Sequence, residues 1–320
     1  MYANMRRLEW IRWQQMIKRQ KLIVVGLCVA IVWVGVLAIG EYQRSDKFIL
    51  TMLDIGQGDS FLLETPMGAR FVVDGGPDPQ RFRGALTQNM VFYHRGIHTM
   101  IATHGDEDHI GGLSGILGAF RVGAFKTIES VFDDPSDRRL RDHARAQGVA
   151  SGFLYRGDVV YQEPDLRIRV LWPPKDLTIL GRLAKDSNAQ SIALRIDYKK
   201  ASVLMMADIP KEVEDMLLHR FDPKDLQAQV LKLGHHGSIT SSSEAFLDTV
   251  HPTIGLVSAG RFNRYGHPAP LVIDRLNGRS IHIARTDTQG AIALVSDGQS
   301  WSIHPMRTIW MIKRWFGLML

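Results

Sequence analysis

The chain has a single cysteine, Cys28, and it lies inside an apolar run. Disulfide bonds and thiolate metal sites are therefore excluded, and any metal must be held by His, Asp or Glu. No short-period repeat and no low-complexity linker interrupts the 320 residues, which excludes a solenoid architecture. A domain-wide basic field is missing too, although the formal net charge is +6. Residues 1–21 hold six Lys or Arg against Glu9 alone, and residues 305–320 add Arg307, Lys313 and Arg314 with no acid. The stretch between is close to neutral, so the field that drives non-specific DNA binding is absent from the body of the chain.

Long apolar runs are also absent, with one exception. Leu22 to Ile39 is uninterrupted for 18 residues, about 27 Å as a helix, close to the ~30 Å of a hydrocarbon core. The bases before it predict a cytoplasmic stub over 1–21 and a transmembrane helix or signal anchor over 22–40. On that reading the chain is a single-pass cell-membrane protein, and everything after Glu41 lies on the non-cytoplasmic side. Two other readings stand beside it. Ala38 and Gly40 before Glu41 form a passable signal-peptide cleavage site, and an apolar helix can also be a buried core element. The tail 305–320 interleaves Trp310, Trp315 and Phe316 with its bases, as a helix at a membrane surface does and as an ordinary docked end can.

Residues 46–304 read as one α/β domain. Short strands are predicted at Phe48 to Ile55, Phe61 to Thr65, Arg70 to Val73 and Thr99 to Ala102, separated by Gly and Pro turn signals. A polar helix follows over Asp133 to Gln147, then a strand from Leu166 to Trp172. A second series has strands at Ser191 to Tyr198, Ser202 to Met206, Gln229 to Leu233, Thr253 to Ser258, Ile281 to Ala284 and Ala291 to Val295. Helices are predicted at Pro210 to Arg220 and Ser243 to Val250. Two successive blocks of similar content predict two half-sheets packed face to face with helices outside.

The segment Thr103 to Gly112 packs four potential metal ligands, His104, Asp106, Asp108 and His109, into six residues after an apolar strand. Such groups converge on one point only if the chain curls around it, so a tight loop opening into a helix at Gly111 is expected. Three later segments add ligand-type residues after strands: Asp208, the run His235-His236-Gly237-Ser238, and Tyr265-Gly266-His267-Pro268. Strand ends in a layered sheet share an edge, so all four segments can meet in one cleft.

With these residues in place the chain resembles the metallo-β-lactamase fold, and more closely the hydrolase domain of the ComEC-type competence proteins. The matching segments are Leu53 to Ser60, Val73 to Gly76, His104 to Gly112, Met206 to Ile209, Leu231 to Ser238 and Asn263 to Pro268, in the family's order. The resemblance implies an αββα sandwich with two divalent metal ions, zinc or manganese, in its cleft. It implies His104 and Asp106 as ligands of the first metal, Asp108 and His109 as ligands of the second, and Asp208 as a bridging carboxylate. One of the pair His235 and His236 completes the second metal. His235 is favoured, with His236 contacting substrate or orienting the ligands. The sequence departs from the wider family in two ways. Asp106 stands where many members have His, and between His109 and Asp208 the only His is His143, so the usual third His of the first metal is missing. Asn188 or Ser191 is expected in that region, and an oxygen-rich first site shifts preference towards manganese.

Two divalent ions close together suit phosphodiester hydrolysis. Asp208, His267 and Lys232 are the expected catalytic groups. Lys232, Ser238 and the amides of Ser241 to Ser243 can bind phosphate, although these Ser residues can equally be helix caps. Gln57, Asp59 and Asp74 are expected at the cleft edge, orienting ligands. The implied substrate is DNA in uptake or degradation, with the membrane and a separate membrane channel as partners. Hydrolysis of lipid or cell-wall phosphodiesters or esters, and a non-catalytic DNA-binding partner of a channel, are the alternatives.

Overall fold

The structure, a computed structural model, describes residues 2–44, 46–90, 95–131, 134–183 and 186–305, with side chains of the N-terminal helix described from Trp13 to Gly35. The basic aromatic tail over 306–320 lies outside these residues. After the N-terminal helix come β1 (Phe48–Met52), β2 (Phe61–Glu64), β3 (Arg70–Val73), β4 (Gly96–Ile101), β5 (Arg121–Thr127) and β6 (Ala150–Phe153). A second series follows, β7 (Val159–Glu163), β8 (Leu166–Trp172), β9 (Ala193–Tyr198), β10 (Ala201–Met205), β11 (Val230–Lys232), β12 (Ile254–Val257) and β13 (His282–Arg285). The chain closes with β14 (Ile292–Ser296) and β15 (Trp301–Pro305). One sheet has the order β15-β14-β1-β2-β3-β4-β5-β6 and the other β13-β12-β11-β10-β9-β8-β7.

Both faces of the central strands are covered, which is why these strands read as near-continuous apolar runs. In β1 to β3 the residues Leu50, Leu63, Phe71 and Val73 point inward against Ile168, Leu194, Ile196 and Val203 of the second sheet. Their neighbours Leu62 and Val72 point outward against Phe82, Leu86, Leu113 and Leu140, on helical segments. The second sheet buries Leu204 and Leu231 against Val213, Leu217, Phe246 and Leu276 in the same way. Each such buried side chain contributes about 1.5–3 kcal/mol relative to exposure, so this alternation fixes the four-layer αββα order. Helix starts follow local chemistry: Asp78 caps Pro79–Asn89 through the Arg81 amide at 2.6 Å, and Asp134 caps Pro135–Ala146 through the Ser136 amide at 2.8 Å.

Two expectations are corrected. The helix in the His104 motif begins at Glu107, not Gly111, so Asp108 and His109 sit on a helical turn that starts directly after Asp106. The transmembrane helix expected over 22–40 is not met among the described residues, where no helix is long and apolar enough to cross a membrane. One helix, Tyr2–Arg44, joins the basic stub to the apolar run. Over its described side chains the run covers only Leu22 to Gly35, about 21 Å of helix against a core of ~30 Å, with Lys18, Arg19 and Lys21 in the preceding turn. The side chains of Val36 to Ile39 lie outside the described residues.

Candidate metal centre

Two parallel blocks build the site. Strands β3 to β6 run parallel to one another, as do β10 to β13. The carboxyl end of β3 delivers Asp74, that of β4 the His104 loop, that of β10 Asp208, and that of β11 the His235-His236 pair. Crevices beyond the carboxyl ends of parallel strands collect ligand-binding groups because the loops there turn toward one another. The approach is very close. Gly58 has φ +117°, and a Cβ there would fall 2.0 Å from the Asp108 carbonyl oxygen, which accepts the Asp59 amide at 3.1 Å. Asp74, Ala207, His235 and His236 all hold positive φ, a concentration of backbone strain at one edge.

The inner part of the site is dry. His236 Nε2 lies 3.3 Å from both Asp108 Oδ2 and Asp208 Oδ2, and its Nδ1 lies 3.3 Å from Asp59 Oδ1. His109 Nε2 lies 3.3 Å from Asp208 Oδ2, and its Nδ1 meets Asp74 Oδ2 at 2.8 Å. Asp74 is itself fixed by the Thr103 amide at 2.8 Å and the Thr103 hydroxyl at 2.7 Å. Asp74 thus aims His109. The outer part is more open: His104 Nε2 is buried, while its neighbour Asp106, at 3.6 Å, is nearly half exposed. Ser187 donates to Asp106 Oδ1 at 3.2 Å, a contact across 81 positions of sequence.

Four groups have one ligand atom per residue, all within 4.8 Å of one another: His104–His109–Asp208, Asp108–His109–His236, Asp59–Asp208–His236 and Asp59–Asp74–His109. Asp208 joins the side of His104 to the side of His236. A carboxylate has two oxygens and can serve two cations, which one imidazole nitrogen cannot. The Nε2 atoms of His104, His109 and His236 and Oδ1 of Asp208 are buried with no hydrogen-bond partner. Unsatisfied buried groups of this kind cost about 1–3 kcal/mol each, and divalent cations would satisfy all of them. The residues present fit the metal that the fold implies.

Charges in the site are mutually compensated. Burial pushes Asp208 up, but His236 and His109 hold it well below the usual carboxylate range. Burial likewise pushes His109 and His236 down. Asp208 and Asp74 nevertheless raise His109 well above its ordinary value, and Asp208 and Asp59 lift His236 to about 9. Without metal, the histidines therefore hold the positive charge that the carboxylates demand. Metal binding must release those protons.

Around this centre the structure rearranges several expected roles. His235, favoured as a ligand, is in none of the four groups and its Nε2 stands 3.8 Å from Asp208; His236, buried, occupies the central place instead. Both have left-handed backbone, so their side chains do not follow strand alternation. Lys232 does not face the cleft. It is buried against Asp59, donates to the Ala207 carbonyl at 2.7 Å and lies 3.6 Å from Asp208 Oδ1. The Ser242 and Ser243 amides are taken by the buried Glu214 carboxylate at 2.6 and 2.9 Å, and Ser243 caps Glu244–Val250. Ser238 turns inward to Thr240 at 3.0 Å, and Gln57 accepts the Gly260 amide at 3.2 Å. His267 borders the site, its ring 5.4 Å from that of His235 and 6.3 Å from that of His236. Burial and these two neighbours lower it to about 4, so it is neutral at pH 7. Asn188 and Ser191, expected near the first metal, are buried, but Ser187 is the residue that reaches Asp106. Thr103, Ser187 and Glu214 were not anticipated. Only Thr103 carried a signal, a hydroxyl adjoining the ligand run.

Comparison with known proteins agrees with this geometry. The metallo-beta-lactamase superfamily profile matches residues 53–261. The chain is 31% identical over 289 residues to ComE operon protein 3 of Bacillus subtilis, covering 85% of this chain and 36% of that protein. It is 27% identical over 288 residues to competence protein ComA of Neisseria gonorrhoeae, covering 85% of this chain and 38% of that one. It thus spans little more than a third of the length of these relatives. Among solved structures, CmlA, a diiron beta-hydroxylase from Streptomyces venezuelae, shares the fold at TM-score 0.50 and 15% identity, over 74% of this chain and 52% of that one. With the αββα layers, the four carboxyl-end loops and the His/Asp cluster in agreement, the chain belongs to the metallo-β-lactamase superfamily.

Proposed function

We propose that this site hydrolyses phosphodiester bonds of DNA, in uptake or degradation, with two divalent cations. The observation that carries the reading is the shared Asp208, which ties the His104 side of the cluster to the His236 side. On this reading Asp108, His109 and His236 hold one cation, His104 and Asp106 the other, and Asp208 lies between them. When bound, the cations supply Lewis acidity to the phosphoryl oxygens and make water a better nucleophile. The chain's own groups do the rest. Asp74 orients His109, Asp59 and Lys232 orient His236 and Asp208, and neutral His267 offers a ring N–H to a phosphoryl oxygen. The competence name of a relative supports a DNA-uptake context for this reading. Metal-stripped protein should regain cleavage of a single-stranded oligonucleotide with manganese better than with zinc, given the oxygen-rich outer position. No turnover with any divalent metal would remove the enzymatic reading.

We also propose that the N-terminal helix holds the domain at a membrane. Leu22, Ile31 and Val34 are 72%, 69% and 65% exposed, and the bases precede this wall. Membranes washed with alkaline carbonate should retain the chain. Release of the intact chain into the wash would refute the anchoring.

A further inference from the structure

The loop 260–266 borders the metal centre and exposes two aromatic rings that the reaction does not use. Phe262 is 92% exposed and Tyr265 is 56% exposed. Each carries a guanidinium on its ring, Arg261 at 5.5 Å and Arg264 at 5.2 Å. The loop is anchored to the site. Tyr265 stacks on His267 with centroids 5.9 Å apart, and Asn263 donates to the His267 carbonyl at 2.6 Å. Phe262, Arg261 and Asn263 line an open hollow of about 860 Å³ shared with Asp54, Gln57 and Arg81. Arg81 is paired with Asp54 at 3.1 Å, whereas among the described residues no ion pair holds Arg261 or Arg264.

We infer that Phe262 is a stacking platform for an unpaired nucleobase, with Arg261 and Arg264 receiving the adjoining phosphates, so that the site selects single strands bearing bases. This deepens the phosphodiesterase reading and rests on it. An exposed ring costs hydration unless a partner covers it, and alternating aromatic and basic side chains match the base and phosphate repeat of a single strand. A lipid chain fits less well, because the hollow around the ring is lined by Asp54, Gln57, Asn263 and Asp287. Base edges can hydrogen-bond to such groups, and acyl chains cannot.

The test measures binding of the full chain in chelator, so that cleavage does not intervene. The probes are a fluorescent single strand of about twelve nucleotides and an abasic strand of the same length. Wild type should bind the base-bearing strand about tenfold more tightly, the scale of one stacked base. Phe262→Ala should bring that affinity to the abasic level, and Phe262→Trp should restore it. Equal binding of both strands by wild type, or equal loss on both in Phe262→Ala, overturns the platform. So does an unchanged preference for bases in Phe262→Ala together with lost binding to anionic phospholipid vesicles. Absent turnover with metal would strike only the phosphodiesterase reading, because the binding comparison stands on its own.

Discussion

Around His236 most of the donors are buried: His109 and His236 are fully enclosed, Asp208 and Asp59 are nearly so, and Asp108 is a third exposed. Around His104 the second donor, Asp106, is nearly half exposed and opens onto a hollow of about 280 Å³ lined by Ser187 and Gln190. The two halves of the centre thus differ in donor type and in access to water. A dry, imidazole-rich half holds a cation tightly, because few waters compete and the burial cost of the ligands is already met. On the proposed two-cation scheme a wet, carboxylate-rich half would exchange its cation more readily, and the missing third His would lower the hold on that cation without dismantling the site.

The sharpest way to break the comparison is to remove the group that both halves share. Asp208→Asn should lower oligonucleotide cleavage by a factor on the order of 10³ or more and reduce metal stoichiometry, with folding retained. Near wild-type turnover would end the two-metal scheme. Next comes the pair that sequence left open. His236→Ala should cost about a hundredfold or more in activity and empty the inner position, whereas His235→Ala should stay within about tenfold. Calorimetric metal titration reads both, and the reverse ranking would return the ligand role to His235. A smaller effect is expected at the outer half. Asp106→Asn should weaken only the second, looser equivalent of manganese, by roughly ten- to a hundredfold, and leave the first unchanged. Equal weakening of both equivalents would show that the halves are not independent.

The smallest expected effect is on stability against pH. His236 rests at about 9 without metal, above its ordinary 6.5, so its contribution is complete below pH 6.5 and is lost as pH rises through 9. Metal-stripped protein should lose on the order of 0.5–1 M in urea midpoint across that window. Manganese should flatten the loss, because cations replace the same protons. A flat profile without metal would mean that His236 does not carry the compensating charge.

The layers were legible in part. Strands buried on both faces, such as Ile254–Val257 and Arg70–Val73, read correctly from their apolar runs. Ala150–Phe153, Val159–Glu163 and Trp301–Pro305 did not, because they lie at sheet edges with half-exposed, mixed side chains. The helix Pro79–Asn89 was missed since its inward stripe is little more than Phe82 and Leu86 on a polar segment. The apolarity of the N-terminal run was read directly, and among the described residues no helix is long and apolar enough to cross a membrane.

By itself the sequence determined the ligand chemistry. One cysteine forces His and Asp donors, and their placement after apolar strands forces a cleft at strand ends. Only the tertiary structure decided which groups converge at the cluster. His235 and His236 are neighbours whose left-handed backbone cancels any simple alternation, so the choice falls to Asp59, Asp108 and Asp208, which converge on His236 from three separate loops. Lys232 and the amides of Ser242 and Ser243 looked available for phosphate until Asp59 and Glu214, distant in sequence, claimed them. Residue type and spacing are local properties, whereas the partner that satisfies a buried charge is set by the packing of the whole fold.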